Sequence, residues 1–158
     1  MASIVRNLIK FTGLADELPK KPLCFKQFNI GKTLRIPYTK PEVKQIIEVM
    51  TGIYIVNTKV IKTPTIKSVE GQNLTGFKLI VEGNLGCQIQ YEADEPTQSV
   101  HEVYFNVPFS SFIVFPSKFD IGDCVEVEGC VEDIYAKKIE QRSIYMNTIV
   151  LLDAKINK

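Results

Sequence analysis

Between Phe77 and Tyr91 the chain alternates apolar and polar side chains, and no other run constrains the fold as tightly. Phe77, Leu79, Val81, Leu85, Cys87, Ile89 and Tyr91 share one parity, with Gly83 among them, while Lys78, Glu82, Asn84, Gln88 and Gln90 share the other. Side chains on a strand point alternately to opposite faces, so this run is a long antiparallel strand with one dry and one wet face. Gly83 and Gly86 inside it read as a bend or bulge. Cys87 falls on the dry parity, where a thiol packs like a small apolar group.

Shorter runs of the same kind fill much of the chain. Phe28, Ile30, Leu34 and Ile36 share a parity that Pro37 ends. Residues 53–61 are rich in β-branched side chains and are broken by Pro64 and Gly71-Gln72-Asn73. Val103, Phe105, Val107 and Phe109 alternate with polar neighbours, and the apolar run 112–115 leads to a turn over 119–123. Val125, Val127, Gly129 and Val131 then alternate with Cys124, Glu126, Glu128 and Cys130. The closing segment 143–156 has Ile144, Met146, Val150 and Leu152 on one parity and Tyr145, Ile149 and Leu151 on the other, so both its faces are candidates for burial. About seven strands at turn-punctuated intervals predict a mostly β domain, an antiparallel sandwich or a partly closed barrel.

Two stretches depart from that pattern. Near 40–51 the residues predict one short helix. Thr39 and Glu42 have capping-box spacing, Pro41 suits a first turn, Val43, Ile46, Ile47 and Met50 recur on one helical face, and Gly52 is placed to end it. Residues 1–25 read as an N-terminal arm or linker attached to a domain spanning 26–158. Ile4, Val5, Leu8, Ile9 and Phe11 stand at roughly helical spacing before Gly13, and Pro19-Lys20-Lys21-Pro22 reads as a linker. An isolated helix that short is marginal in water, so the arm must dock on its own domain, dock on a neighbouring copy or stay disordered. Those five apolar residues are therefore candidate partner contacts.

Charge excludes some functions. Nineteen Lys and Arg oppose 18 Asp and Glu, a net charge of +1, which supplies no basic field for nucleic acid and leaves self-association electrostatically permitted. The start has no export-signal pattern and no stretch approaches a membrane span, so a soluble chain made in the cytoplasm is the expectation. The acceptor pattern at Asn73-Leu74-Thr75 is set aside on the same ground.

Catalytic chemistry finds little support. Four cysteines without C-x-x-C spacing and a single histidine make the usual zinc sites improbable, and no cofactor is expected. His101 has Ser99, Ser110 and Ser111 nearby in sequence but no nucleophile elbow. Glu92, Asp94, Glu95, Asp120 and Asp123 fall at strand ends and turns, where carboxylates are ordinary solvated residues, and no calcium loop is present. Phosphate-binding glycine motifs are absent. The chain has no Trp, and Phe77, Phe105 and Phe109 lie on core parities, which argues against a sugar or nucleic-acid platform. Cys124 and Cys130 sit on the wet parity of one strand, roughly 20 Å apart at an extended rise, too far for a bridge to each other. They are candidate thiols for cross-links between molecules. The expectation is a protein that is not an enzyme.

Several blocks resemble a known family. Gly31-Lys-Thr-Leu-Arg-Ile-Pro-Tyr-Thr-Lys-Pro41, followed by Glu42 to Ile47, is similar to the opening signature of the SPOCS domain of clostridial spore-coat proteins. Val81-Glu82-Gly83, the run Val107 to Ile113, Val131 to Ile134 and Arg142-Ser143-Ile144 resemble its later blocks, in order, so that the likeness covers about 26–156. Glu42 and Val43 stand where the family more usually has Asp and Ile. The resemblance implies a short single-domain member without the LysM module of longer ones, and it carries no catalytic residues. It implies a structural and assembly protein of the spore coat or spore surface, made in the mother cell, that contacts other coat proteins or copies of itself as a homo-oligomer. A ligand-binding β module for a glycan or peptide, using loop 92–99, is the alternative.

Overall fold

The computed structural model describes residues 2–67, 69 and 73–157. Eight strands carry the chain: β1 (Ala2–Arg6), β2 (Ile9–Leu14), β3 (Phe25–Arg35), β4 (Val43–Lys67), β5 (Asn73–Ala93), β6 (Val100–Val114), β7 (Cys124–Glu140) and β8 (Ser143–Asn157). They form one mixed sheet in the order β3-β8-β7-β2-β4-β5-β6, with β1 paired to β2. The mostly β class is as expected.

The subdivision into a sandwich or partly closed barrel is not what the hydrogen bonds draw. β2 runs parallel to both β4 and β7 and ties the two halves into a single sheet. The two ends of that sheet, β3 and β6, approach only through side chains. Phe28 and Phe109 have ring centroids 5.6 Å apart, and Lys26 Nζ stands 4.6 Å from the centroid of Phe112. No β3–β6 ladder closes the sheet among the described residues.

β5 behaves as its alternation demands. Leu79, Val81, Leu85, Cys87, Ile89 and Tyr91 are all buried, each at 4% exposure or less, and their neighbours on the other parity are not. Their face packs on the opposite half of the sheet, where Cys87 Sγ lies 3.4 Å from Met146 Sδ. Gly83 marks a close approach. A Cβ there would stand 2.5 Å from the Tyr54 carbonyl oxygen and 2.7 Å from the Phe109 ring. The bulge lies in the partner strand, between Ile55 and Asn57. β8 is buried along its even parity from Ile144 to Ala154, and on both faces at Leu151 and Asp153.

The helix expected near 40–51 is a correction: from Val43 onward the chain is strand β4. Register shifts at Val43/Gln45 and Ile46/Glu48 insert one extra residue each. Each bulge adds a residue to a two-residue repeat, so the buried positions fall at Val43, Ile46 and Val49. A bulged strand thus imitates the i, i+3 spacing of a helix. Pro37 to Lys40 makes a turn closed by the Lys40 amide donating to the Pro37 carbonyl at 3.0 Å. The expected break at Pro64 is another bulge, between Lys62 and Thr65, where the missing amide hydrogen leaves no gap in the ladder. Gly71 and Gln72 lie outside the described residues.

The segment read as an arm with helical spacing is a β-hairpin. Asn7 and Leu8 both adopt positive φ, 52° and 66°, as a two-residue turn of the I′ kind requires. Phe11 and Leu14 of β2 enter the core, and the Leu14 end bridges Val131 of β7. Gly13, at φ 108°, permits this insertion, since a Cβ would stand 2.0 Å from the Thr51 carbonyl oxygen. Residues 15–24 then run as a strap from β7, where the Ala15 amide donates to the Val131 carbonyl at 2.9 Å, to β8, where the Ala154 amide donates to the Cys24 carbonyl at 2.8 Å, and so reach the start of β3.

Candidate functional site

Four places hold the residues with chemical potential. The first is the loop between β5 and β6. Ser99 Oγ donates to Glu95 Oε1 at 2.9 Å and lies 3.0 Å from His101 Nε2, which is itself 3.4 Å from the same Glu95 oxygen. A nucleophilic relay needs the hydroxyl on one ring nitrogen and the carboxylate on the other. Here both converge on Nε2, so the trio cannot pass a proton along a line. It clamps the loop instead, alongside the Ala93 amide donating to the Ser99 carbonyl at 2.8 Å. His101 stacks on Tyr91, whose hydroxyl donates to the Pro41 carbonyl at 2.8 Å. The other turn carboxylates do not gather. Asp120 and Asp123 hold their own turn, Glu92 pairs with Lys44 at 3.9 Å, and Asp94 is tied by its backbone amide, which donates to the Glu42 carbonyl at 2.9 Å. No cluster of three or more metal-ligating side chains occurs among the described residues.

The second place is a groove of about 870 Å³ under the strap. Strap residues such as Leu18 and Leu23 form one wall, and Glu128, Cys130, Asp153 and Lys155 are in the others. Lys155 Nζ pairs with Glu128 at 3.0 Å, and that hydrogen bond raises the lysine's pKa. Its walls come from four segments distant in sequence (17–24, 116–119, 128–130 and 153–157), so no local motif announced it.

The thiols divide between these environments. Cys124 is exposed at the start of β7, whereas Cys130 is half-buried in the groove wall. Burial raises the Cys130 pKa, with Glu132, Asp153 and Glu128 adding to it. Cys24, at the end of the strap, is pushed up to about 11 by burial and by Asp153, and Cys87 in the core is pushed up to about 12 by burial alone. The three therefore stay protonated near neutrality and are poor nucleophiles.

The third place is the N-terminal hairpin. Val5 and Leu8 are exposed at 72% and 81%, Ile4 and Ile9 pack partly on the core, and Phe11 is buried at 1%. Of the five candidate contacts, Val5 and Leu8 face outward and Phe11 faces its own core. Arg6 latches the hairpin to β7 by donating to Asp133 Oδ1 and the Ile134 carbonyl, both at 3.2 Å.

The fourth place is the outer face of β4, β5 and β6, which no other element covers. Its middle is flat because Gly52 and Gly86 carry no side chain and the Tyr54 ring lies across them. A Cβ at Gly86 would stand 2.9 Å from Tyr54 Cε2, and one at Gly52 3.2 Å from its hydroxyl. Tyr54 and Tyr104 are exposed at 63% and 70%, so aromatic surface is presented here although the sequence placed its Phe residues on core parities. Tyr104 donates to Glu102 at 3.3 Å, and the charge of Glu102 raises its pKa.

The loop 36–42 shows how distant blocks of the sequence meet. Arg142 Nη1 donates to the Pro37 and Lys40 carbonyls at 3.0 and 2.8 Å, and its guanidinium lies 4.8 Å from the Tyr38 ring centroid. One side chain thus holds the turn that leads into β4.

Together these features define an all-β domain whose prominent features are a strapped groove and an open sheet face. A family model described as SipL, SPOCS domain, matches residues 42–139, more than half of the chain, and the chain belongs to that family. Membership gives it a link to sporulation. No curated protein and no solved structure matches it.

Proposed function

We propose that this chain is a structural and assembly component of the bacterial spore coat or spore surface, made in the mother cell, without catalytic activity. It acts by contact with other coat proteins and with copies of itself. The family link supplies the sporulation context. The observation that carries the structural part is the outer face of β4, β5 and β6, which presents tyrosines on a glycine floor with no layer over them. Exposed tyrosines, with an apolar ring and a polar tip, are the side chains enriched at interaction surfaces. Fractionation of spores carrying a tagged chain is the test. Recovery in the coat extract is expected, and recovery only in the soluble mother-cell lysate overturns the proposal.

The groove under the strap favours a second reading, a ligand-binding module for a peptide or glycan, since its volume falls in the range of small-molecule sites. It moves the expected ligand site away from loop 92–99. Titration with peptidoglycan fragments and with short peptides, followed by tryptophan-independent calorimetry, separates the two readings. Saturable binding that is lost on filling the groove with Cys130→Trp, at a half-buried position of its wall, favours this second one.

A further inference from the structure

We propose that the uncovered face of β4, β5 and β6 is the seat of a two-fold dimer, in which a second copy stacks on it with its strands reversed. The inference rests on the self-association part of the function proposed above and names its surface.

The register of β5 orders that face into rows. Toward one end Lys78 stands beside Ile61 and Val114, and Ile80 beside Lys59 and Phe112. The Phe112 ring lies between Lys26 and Lys78, whose Nζ atoms are 4.6 and 4.8 Å from its centroid. Toward the other end Gln90 stands beside Glu48 and Glu102, and Glu92 beside Gln45 and Val100. One end is thus lysine-rich. The other carries three carboxylates, of which Glu92 pairs with Lys44 at 3.9 Å and Glu48 lies across from Lys10.

The spacing is symmetric. Rows 78 and 92, and rows 80 and 90, are equidistant from Leu85. A two-fold axis through the face above Leu85 therefore sets Lys78 over the partner's Glu92 row and Lys59 over the partner's Glu48 and Glu102 row. It sets the flat Gly86 row against the partner's Asn84 row, where the Tyr54 rings meet. A self-complementary patch of this kind is what an isologous dimer needs.

The area suffices. Rows 78 to 92 on three strands span about 46 Å by about 14 Å, on the order of 650 Å² per copy. Two such faces bury roughly 1,300 Å², within the class of specific interfaces.

Sedimentation of the full chain tests the proposal. The wild type is expected to dimerise at about 100 µM, with a Kd that rises at least about tenfold as salt goes from about 0.1 M to about 1 M and the screening length shrinks. Asn106→Arg, on an exposed position of the Gly86 row, is expected to weaken the dimer at least about tenfold. Lys59→Glu with Lys78→Glu makes both ends acidic, and Glu92→Lys with Glu102→Lys leaves Glu48 as the last of the three carboxylates and makes both ends basic. Each is expected to be a monomer alone, and their equimolar mixture a dimer. Circular dichroism establishes that each is folded, and Lys59→Glu alone replaces the first pair if it is not. A wild-type monomer at low salt, an unweakened Asn106→Arg dimer, or a mixture that stays monomeric overturns the inference. So does a monomer that binds polysaccharide through this face. Localisation is scored separately, so a coat-resident monomer removes the dimer and leaves the coat assignment standing.

Discussion

The two faces of β5 belong to the same strand and meet opposite fates. On the inner face every side chain from Leu79 to Tyr91 is buried against the other half of the sheet, and even Gly83 is crowded by Phe109 and the Tyr54 carbonyl. On the outer face Lys78, Glu82, Gln88 and Gln90 remain open to solvent and no element covers them. The difference teaches that stability is concentrated on one side, which leaves the other free for the contacts proposed above. Changes inside should alter folding and leave association of the surviving fold intact. Changes outside should do the reverse.

The sharpest way to break this comparison is Ile89→Ala. Ile89 is fully buried, and the lost burial plus the cavity should cost about 2–5 kcal/mol by denaturant melts. A loss no larger than that of an outer-face change would dissolve the contrast.

Alkaline pH comes next. Cys87 and Cys24 have folded-state pKa values pushed up to about 12 and about 11 from 9.0, so the unfolded chain loses those protons first. Stability is fully present below pH 9, falls as pH rises from there toward 11–12, and falls less in Cys87→Val. Melts between pH 8 and pH 11 measure both slopes.

Thr148→Val probes a flaw of the inner side. The Thr148 hydroxyl is buried without a hydrogen-bond partner, so the isosteric apolar residue should raise stability by about 1 kcal/mol. No gain would mean that the hydroxyl is satisfied in solution. The smallest effect belongs outside. Tyr104→Ala should change stability by less than about 0.5 kcal/mol while altering self-association, and a larger change in the melt would show that the outer face also holds the fold.

How far the fold was legible differs between paired neighbours. β5 was readable because its alternation is unbroken and its ladder with β6 has no register shift. β4, its partner on the other side, was read as a helix through 43–51 because two bulges stretched its repeat, and a bulge is set by what lies across the ladder rather than by local sequence. The hairpin 2–14 was hidden for a related reason. Asn7 suits positive φ but Leu8 does not, so the pair lacks the glycine that ordinarily announces such a turn. Of the candidate sites, the placement of Cys124 and Cys130 on one strand was legible, but the burial of Cys130 under the strap was not.

Local alternation was enough to settle that this is a β protein with a dry row running through β5, because a two-residue repeat has only one way to bury its apolar half. The family, too, was legible in the sequence, through its resemblance blocks, and the family model matches residues 42–139. Only the packed chain decided that β2 would join the halves into one open sheet, that the strap would roof a groove, and that the face above Leu85 would stay bare. Those outcomes depend on which segments meet across many intervening residues, and pair contacts of that range leave no periodic mark on the sequence.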